Sequence, residues 1–172
     1  MLEDNRMILV GIITEQESEN YISTIKRNNR VLDRYHFMYI KETNIQNIKN
    51  IKFDVLVINR KFHDEVMLNS ILKNSKFIIL NGDMENNAQL FEGIRSSVIT
   101  YGFNSKSTVT LSSITEDFAL ICIQRNIISS TEEIEQQEIR IKKHTNSIIY
   151  DIMSITTVII LYNKNDLNQI KF

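Results

Sequence analysis

Short, continuous apolar runs recur along this chain and constrain its fold more than any other feature. Met7 to Ile13 reads Met-Ile-Leu-Val-Gly-Ile-Ile, and similar runs cover Phe53 to Asn59 and Phe77 to Leu80. Runs this short, rich in β-branched residues and lacking polar alternation, are typical of strands that are buried on both faces. Such strands belong to parallel sheets, because crossover helices cover both faces of those sheets. The runs therefore predict a mostly parallel sheet inside an α/β fold.

Segments with helical spacing lie between these runs. Glu17 to Asn28 carries apolar residues at Tyr21, Ile22 and Ile25, which share one face of a helix. Val66 to Leu72 is predicted to form a second, shorter helix, while Val31 to Ile40 and Val98 to Tyr101 are predicted to be further strands. The alternation of strands and helices predicts a three-layer, Rossmann-like architecture.

The pattern changes after Gly102. Three strand-like segments with short breaks predict an antiparallel extension of the sheet: Ser107 to Ile114, Asp117 to Ile128 and Glu133 to Lys142. Thr145 to Tyr162 then has apolar residues at helical spacing, and this period favours a helix despite its many β-branched residues. Asn165 to Phe172 is predicted to form a last short helix. No linker or repeat divides the chain, so residues 1–172 are expected to form one domain.

Composition excludes several classes of partner. The formal net charge is −1 and the basic residues are scattered, which argues against nucleic-acid binding. Ile148 to Tyr162, the longest apolar stretch near the C-terminus, is too short and too polar to span a membrane. The acidic, polar start of the chain is unlike a secretory signal. Cys122, the single cysteine, forms no intrachain disulfide, so a buried strand thiol and a cytoplasmic location are predicted.

One stretch resembles a known family. It runs Phe77-Ile-Ile-Leu-Asn-Gly-Asp-Met-Glu-Asn-Asn-Ala-Gln-Leu-Phe91 and continues as Val98-Ile-Thr-Tyr-Gly-Phe-Asn-Ser-Lys-Ser-Thr-Val-Thr110. It is similar to the late part of the central, ATP-binding domain of the Mur ligases, which build the peptide of bacterial cell-wall precursors. The corresponding parts are an Asn81-Gly82-Asp83 turn, a short helix from Asn86 to Ile94, and a strand with a glycine, Val98 to Gly102. The resemblance implies a Mur-ligase-like central domain without the two outer domains.

The phosphate-binding loop of that family has no counterpart here. The resemblance would place a Gly-Thr-x-Gly-Lys-Thr/Ser loop after the first strand, where this chain reads Ile13-Thr-Glu-Gln-Glu-Ser-Glu-Asn20. Ser18 stands where the lysine would be and Glu19 where the hydroxyl would be. Three carboxylates, including those of Glu15 and Glu17, would repel a polyphosphate. An acidic helix start in solvent explains the same residues. ATP binding is therefore doubtful, and no cofactor or metal is predicted.

Several polar residues remain candidates for a ligand site at the carboxyl ends of the strands, where open α/β sheets bind ligands. They are Thr14, Asn59, Asn81, Asp83 and Asn146. Each also has a structural explanation. Gly82 would allow an unusual φ in a tight turn, Asp83 or Asn86 would cap the next helix, and Asn146 would cap the long helix. His63, beside Asp64, is expected to be a surface histidine.

Two functions follow as hypotheses. The first is a non-catalytic Mur-ligase-like protein, or pseudo-ligase, which acts through a protein partner or a homo-oligomer and is linked to cell-wall precursor synthesis. The strands after Gly102 and the final helix would be its contact region. The second is a small nucleotide- or metabolite-binding protein or enzyme that uses the crevice at the strand ends.

Overall fold

The computed structural model describes residues 6–85 and 88–172 and is an α/β structure with an eight-stranded sheet. The strands of this sheet are β1 (Ile8–Ile13), β2 (Tyr35–Tyr39), β3 (Phe53–Ile58), β4 (Ser75–Asn81), β5 (Ser97–Tyr101), β6 (Val109–Ile114), β7 (Phe118–Ile123) and β10 (Gln137–Lys142). Across the sheet they follow the order β2-β1-β3-β4-β5-β6-β7-β10. Two further strands, β8 (Ile127–Ile128) and β9 (Glu133–Ile134), form a small antiparallel pair.

The first five strands are parallel, and the sheet becomes antiparallel towards its C-terminal edge. β6 joins β5 in parallel through the pair Tyr101 and Val109, and β7 and β10 then add as antiparallel neighbours. A register shift between Leu111 and Ser113 marks an irregularity in β6. The predicted fold class, a mostly parallel sheet with an antiparallel extension, is confirmed.

Helices cover the two faces of the sheet unequally. They are α1 (Gln16–Asn28), α2 (Ile45–Ile48), α3 (Glu65–Lys73) and α4 (Ile149–Ile160), with 3₁₀ turns at Arg30–Arg34, Ala88–Phe91 and Lys164–Gln169. One hydrophobic core lies between the sheet and the pair α1 and α4. A second, smaller core lies on the opposite face under α2 and α3. None of the described helices is long and apolar enough to cross a lipid bilayer.

The helix α4 is buried on every side. All residues from Asp151 to Leu161 are buried, including Ser154, Thr156 and Thr157. The predicted helical period is therefore right, but the helix begins at Ile149, four positions later than predicted at Thr145. A helix that is apolar nearly all round belongs in the middle of a core, and α4 occupies that position here.

The antiparallel extension leaves one face of the sheet open. Ala119, Ile121 and Ile123 of β7 point into the core with α4, while Phe118, Leu120 and Cys122 alternate onto the other face and stay partly exposed. The prediction that Cys122 is a buried thiol is therefore wrong, although its placement in a strand is right. Apolar neighbours along a strand do not show that both faces are covered.

Other boundaries differ for local reasons. The second strand begins at Tyr35 and not at Val31, because Arg30–Arg34 form a 3₁₀ turn. The long strand predicted from Asp117 to Ile128 divides into β7 and β8. The last segment forms a 3₁₀ turn whose Leu167 is buried, as are Ile170 and Phe172 after it. Leu167, Ile170 and Phe172 are therefore not available to a partner, and the contact role of this segment stays a prediction.

Candidate functional site

The carboxyl ends of β1, β3 and β4 bring three of the predicted residues together. Thr14 and Asn59 directly follow β1 and β3, and Asn81 is the last residue of β4. Asn59 Nδ2 lies 3.3 Å from Thr14 Oγ1, and Asn81 Nδ2 donates to Asn59 Oδ1 at 3.0 Å. Thr14 and Asn81 are both only 5% exposed. The expectation that parallel strands place these residues at one edge is confirmed.

A fourth residue of this cluster, Asp151, was not predicted from the sequence. It lies in the first turn of α4, is 1% exposed, and accepts a hydrogen bond from Asn59 Nδ2 at 3.2 Å. The sequence offered one signal, a carboxylate that interrupts the apolar run from Ile148 to Tyr162. That signal was interpreted only as evidence against a membrane span. Which strand ends the helix would face depends on tertiary packing.

Burial dominates the electrostatics of Asp151. Removal from water raises the pKa of this carboxyl from 3.8 to about 6, the Ser18 hydroxyl opposes the rise, and the negative charge of Glu17 adds to it. Asp151 Oδ2 has no hydrogen-bond partner among the described residues. Ser18 and Glu17 both belong to the first turn of α1. The carboxylate of Asp151 therefore lies beside the N-terminus of α1, the position at which helices bind anions.

The turn between β1 and α1 contains only Thr14 and Glu15, so no loop exists there to wrap around a phosphate. Its acidic residues are partly compensated. Glu15 Oε1 lies 3.9 Å from Arg60 Nη1, and Glu19 Oε1 lies 3.6 Å from Lys41 Nζ. These two ion pairs reduce the repulsion that the sequence predicts for a polyphosphate at this turn. The geometry of the turn, more than its charge, is unsuited to a polyphosphate.

A shallow cleft of about 360 Å³ lies next to this cluster. It is lined by Thr14, Glu15, Gln16, Glu19, Lys41, Glu42, Thr43 and Arg60. Its charged residues are already paired within the chain, since Glu42 Oε1 accepts from the backbone N–H of His63 at 3.1 Å and lies 2.8 Å from its Nδ1. Hydrogen bonds from His63 hold the pKa of Glu42 below its usual value. His63 is a surface histidine as expected, but its partner is Glu42 and not Asp64, which caps α3.

Asp83 organises the turn between β5 and β6. Its carboxylate accepts hydrogen bonds from the backbone N–H groups of Phe103 at 2.6 Å and Asn104 at 2.9 Å, and from the Tyr150 hydroxyl at 3.0 Å. Its own N–H donates to Asn81 Oδ1 at 3.0 Å, which connects it to the strand-end cluster. Asp83 therefore caps the loop between β5 and β6. Asn86, the other predicted cap, lies outside the described residues.

The two glycines beside Asp83 have different roles. Gly102 has φ of 152°, and a Cβ there would lie 2.6 Å from Asp83 Oδ2. Gly82 has no positive φ, so the prediction of an unusual backbone at this position is wrong. A Cβ at Gly82 would instead lie 2.7 Å from Ser107 Oγ. Gly82 therefore needs to lack a side chain because the two turns lie close together, and not because of its backbone conformation.

Asn146 does not join the cluster. It is exposed in the turn before α4, whose N-cap is Ile148 without a side-chain hydrogen bond. Both interpretations of Asn146, as a ligand contact and as a helix cap, are therefore unsupported by its position. Among residues 6–85 and 88–172, no group of three His, Cys, Asp or Glu side chains is arranged to hold a metal ion.

Comparisons with known proteins give no match: no protein-family model fits this sequence, and no curated protein resembles it significantly. The relationship to Mur ligases stays a prediction.

Proposed function

We propose that this chain is a non-catalytic relative of the Mur ligase central domain that acts in the cytoplasm by binding protein, with a regulatory role linked to cell-wall precursor synthesis. One observation supports this proposal most. The buried carboxylate of Asp151 lies beside the start of α1, where a nucleotide-binding fold of this kind would hold phosphate. The negative charge of Asp151 therefore stands where a bound phosphate would be.

The polar groups of the cluster around Asp151 are also bonded to one another. Asn59 connects Thr14, Asn81 and Asp151, and its amide hydrogens and carbonyl are all used inside the protein. A phosphate placed about 4 Å from Asp151 would meet a repulsion of about 4 kcal/mol at an effective dielectric constant near 20. It would also need N–H donors that a two-residue turn does not gather. Loss of phosphate binding is therefore the simplest consequence of this geometry.

The cleft beside the cluster favours an alternative function. A pocket of about 360 Å³ at the strand ends, lined by both acidic and basic residues, suits a small charged metabolite. Such a ligand would have to replace ion pairs such as Glu19 with Lys41. Because those pairs are long and partly exposed, replacing them costs little. The alternative is therefore a specific competitor to the first proposal.

Thermal melts of the whole chain separate the two functions. The panel is ATP with magnesium, other nucleotides, UDP-muramoyl peptides and small dicarboxylates, each at millimolar concentration. A ligand present at about 100 times its dissociation constant adds about 2.7 kcal/mol of stability, which is a shift of several degrees in a chain of this size. We expect no shift with any member of the panel.

Two results would count against the proposal. ATP hydrolysis that disappears on Asp83→Asn would show a working nucleotide site. A shift produced by a dicarboxylate and removed by Arg60→Ala would support the metabolite-binding function, since Arg60 lines the cleft. Arg95→Ala is the matched control, because Arg95 is exposed on the segment before β5 and does not line the cleft.

A further inference from the structure

The outer edge of β2 presents backbone groups to solvent. Among residues 6–85 and 88–172, β2 is the last strand on its side of the sheet, and its ladder partner is β1. The N–H of Ile40 donates to Ile12 O at 2.8 Å, so Met38 and Ile40 direct their backbone groups towards β1. Since these directions alternate along a strand, Phe37 and Tyr39 direct theirs outward. An edge of this kind is a template for another strand.

The chain covers only part of this edge. Lys26 Nζ donates to Tyr35 O at 2.6 Å, and Asn44 Nδ2 lies 3.5 Å from Tyr39 O, a weak contact. Within the described residues, the outward N–H and C=O of Phe37 and the N–H of Tyr39 have no backbone or side-chain partner. These groups are spaced as a short added strand requires.

A groove runs beside this edge, between β2 and α1. It has a volume of about 570 Å³, and its lining includes Ser23, Thr24, Lys26 and Arg27 of α1 and Phe37 and Tyr39 of β2. The rings of Phe37 and Tyr39 are only partly buried, so they give the groove an apolar floor. Ser23 and Thr24 add hydroxyl groups along its α1 wall. Grooves between an edge strand and a helix hold peptides that extend a sheet.

The charge around the groove is mostly positive. Lys26 and Arg27 line it against the single carboxylate of Asp33, and the exposed Arg30 follows closely in sequence. Lys26 Nζ also lies 5.5 Å from the Phe37 ring centroid, which holds its charge over the groove floor. A second copy of β2 would bring the same basic residues face to face, with repulsion as the result. Charge complementarity therefore favours an acidic partner over self-association at this edge.

We propose that the outer edge of β2 binds an extended, acidic peptide segment of a partner protein by strand addition. The backbone of the peptide pairs with Phe37 and Tyr39. Its alternate side chains enter the groove, where apolar groups contact the Phe37 and Tyr39 rings and carboxylates pair with Lys26 and Arg27. This inference rests on the proposed protein-binding function and specifies its surface and the chemistry of its partner.

The test begins with the whole chain immobilised and a displayed library of random ten-residue peptides. We expect enrichment of acidic sequences with alternating apolar residues. The enriched peptide is then synthesised and titrated by fluorescence anisotropy against the protein and its variants. A single-stranded RNA oligonucleotide of similar length is titrated in parallel, because basic grooves with aromatic rings also bind nucleic acid.

Two pairs of variants locate the binding site. Phe37→Pro removes the outward N–H as well as the ring, while Phe37→Ala removes only the ring, so the difference between them reports the backbone pairing. Arg27→Glu reverses a charge in the groove, and Arg95→Glu makes the same change on the segment before β5. We expect roughly tenfold weaker binding with Arg27→Glu, a further loss from Phe37→Ala to Phe37→Pro, and no change with Arg95→Glu.

Three outcomes would overturn the inference. They are a library without binders, an enriched peptide that binds Arg27→Glu and Phe37→Pro as well as it binds the unaltered chain, and RNA that binds more tightly than the peptide. If Phe37→Pro fails to fold, the Arg27→Glu and Arg95→Glu pair decides alone. Peptides that bind elsewhere leave the protein-binding function standing, whereas a nucleotide-induced thermal shift removes that function without reference to β2.

Discussion

Asn59 Nδ2 lies 3.2 Å from Asp151 Oδ1, a contact that joins the end of β3 to the first turn of α4 across 92 positions of the sequence. The same amide donates to Thr14 Oγ1, and its carbonyl accepts from Asn81. Both amide hydrogens and the carbonyl oxygen have partners within the chain, so this side chain holds β1, β3, β4 and α4 in one arrangement. All three partners, Thr14, Asn81 and Asp151, are buried and cannot turn to water instead.

Removal of this amide should destabilise the protein. Asn59→Ala removes one hydrogen-bond donor from the buried Asp151 carboxylate, and we expect a loss of about 2–4 kcal/mol in the free energy of unfolding. Urea denaturation at neutral pH measures it. Asn146→Ala is the matched control, because that asparagine is exposed, and its change should stay within about 0.5 kcal/mol. Equal effects of the two substitutions would show that the Asn59 contacts contribute nothing.

The raised pKa of Asp151 predicts a pH dependence of stability. Protonation is favoured in the folded state, where the pKa is about 6, over the unfolded state, where it is 3.8. Below pH 4 the carboxyl is protonated in both states and does not destabilise the fold. As pH rises from 4 to 6, its ionisation increasingly destabilises the folded state, and the full effect above pH 6 is about 3 kcal/mol. The neighbouring tyrosines Tyr21, Tyr39 and Tyr101 have pKa values raised by burial, so they stay neutral in this range.

Asp151→Asn isolates this effect. The substitution keeps an oxygen for the Asn59 amide but cannot ionise, so the variant should become more stable than the original chain as pH rises from 4 to 7. Urea denaturation at several pH values gives the difference between the two proteins. A difference that does not change with pH would show that the carboxyl titrates normally.

Gly102 should tolerate no side chain. Gly102→Ala forces a Cβ against the Asp83 carboxylate and places alanine at a φ of 152°, so we expect a loss of about 2–4 kcal/mol. Asp83→Ala removes the obstacle but also the acceptor for Phe103 and Asn104. The double variant should therefore lose less than the sum of the single losses. If the stability losses of the two single variants added up exactly in the double variant, residues 83 and 102 would not be in contact.

The all-round burial of α4 predicts a large cavity cost. Ile155 is 0% exposed, and Ile155→Ala should reduce the free energy of unfolding by about 2–5 kcal/mol. Val66 in α3 is 82% exposed, and Val66→Ala should change it by less than about 0.5 kcal/mol. Thermal and urea unfolding measure both variants. A small effect at Ile155 would mean that α4 does not pack into the core.

The sequence predicts the central strands well because their environment is uniform. A strand between two neighbours with helices on both faces needs apolar residues at every position, and β3 and β4 show this directly. Where only one face is covered, as in β7, the same apolar composition hides partial exposure of Cys122. The helix α2 was missed because its four residues give no measurable period.

The strand-end site is predicted in part for a similar reason. Parallel strands fix the positions of Thr14, Asn59 and Asn81 from sequence order alone. Asp151 comes from α4, which follows β10 in the chain, and its approach to β1 and β3 is set by packing that no local pattern encodes. The pairing of Glu15 with Arg60 and of Glu19 with Lys41 depends on the same tertiary arrangement. Charges counted along one segment therefore do not reveal these ion pairs.

The position of α4 late in the chain affects how the protein is made. Six consecutive residues from Ile155 to Ile160 are β-branched, so this segment gains little helix on its own and depends on contact with the sheet. A ribosome releases β1 to β5 well before it releases this segment. Until synthesis passes Leu161, α4 cannot pack against the strands of the nascent chain, and a large apolar face of the sheet stays exposed. Slow translation or truncation before that point should leave an aggregation-prone intermediate that needs a chaperone.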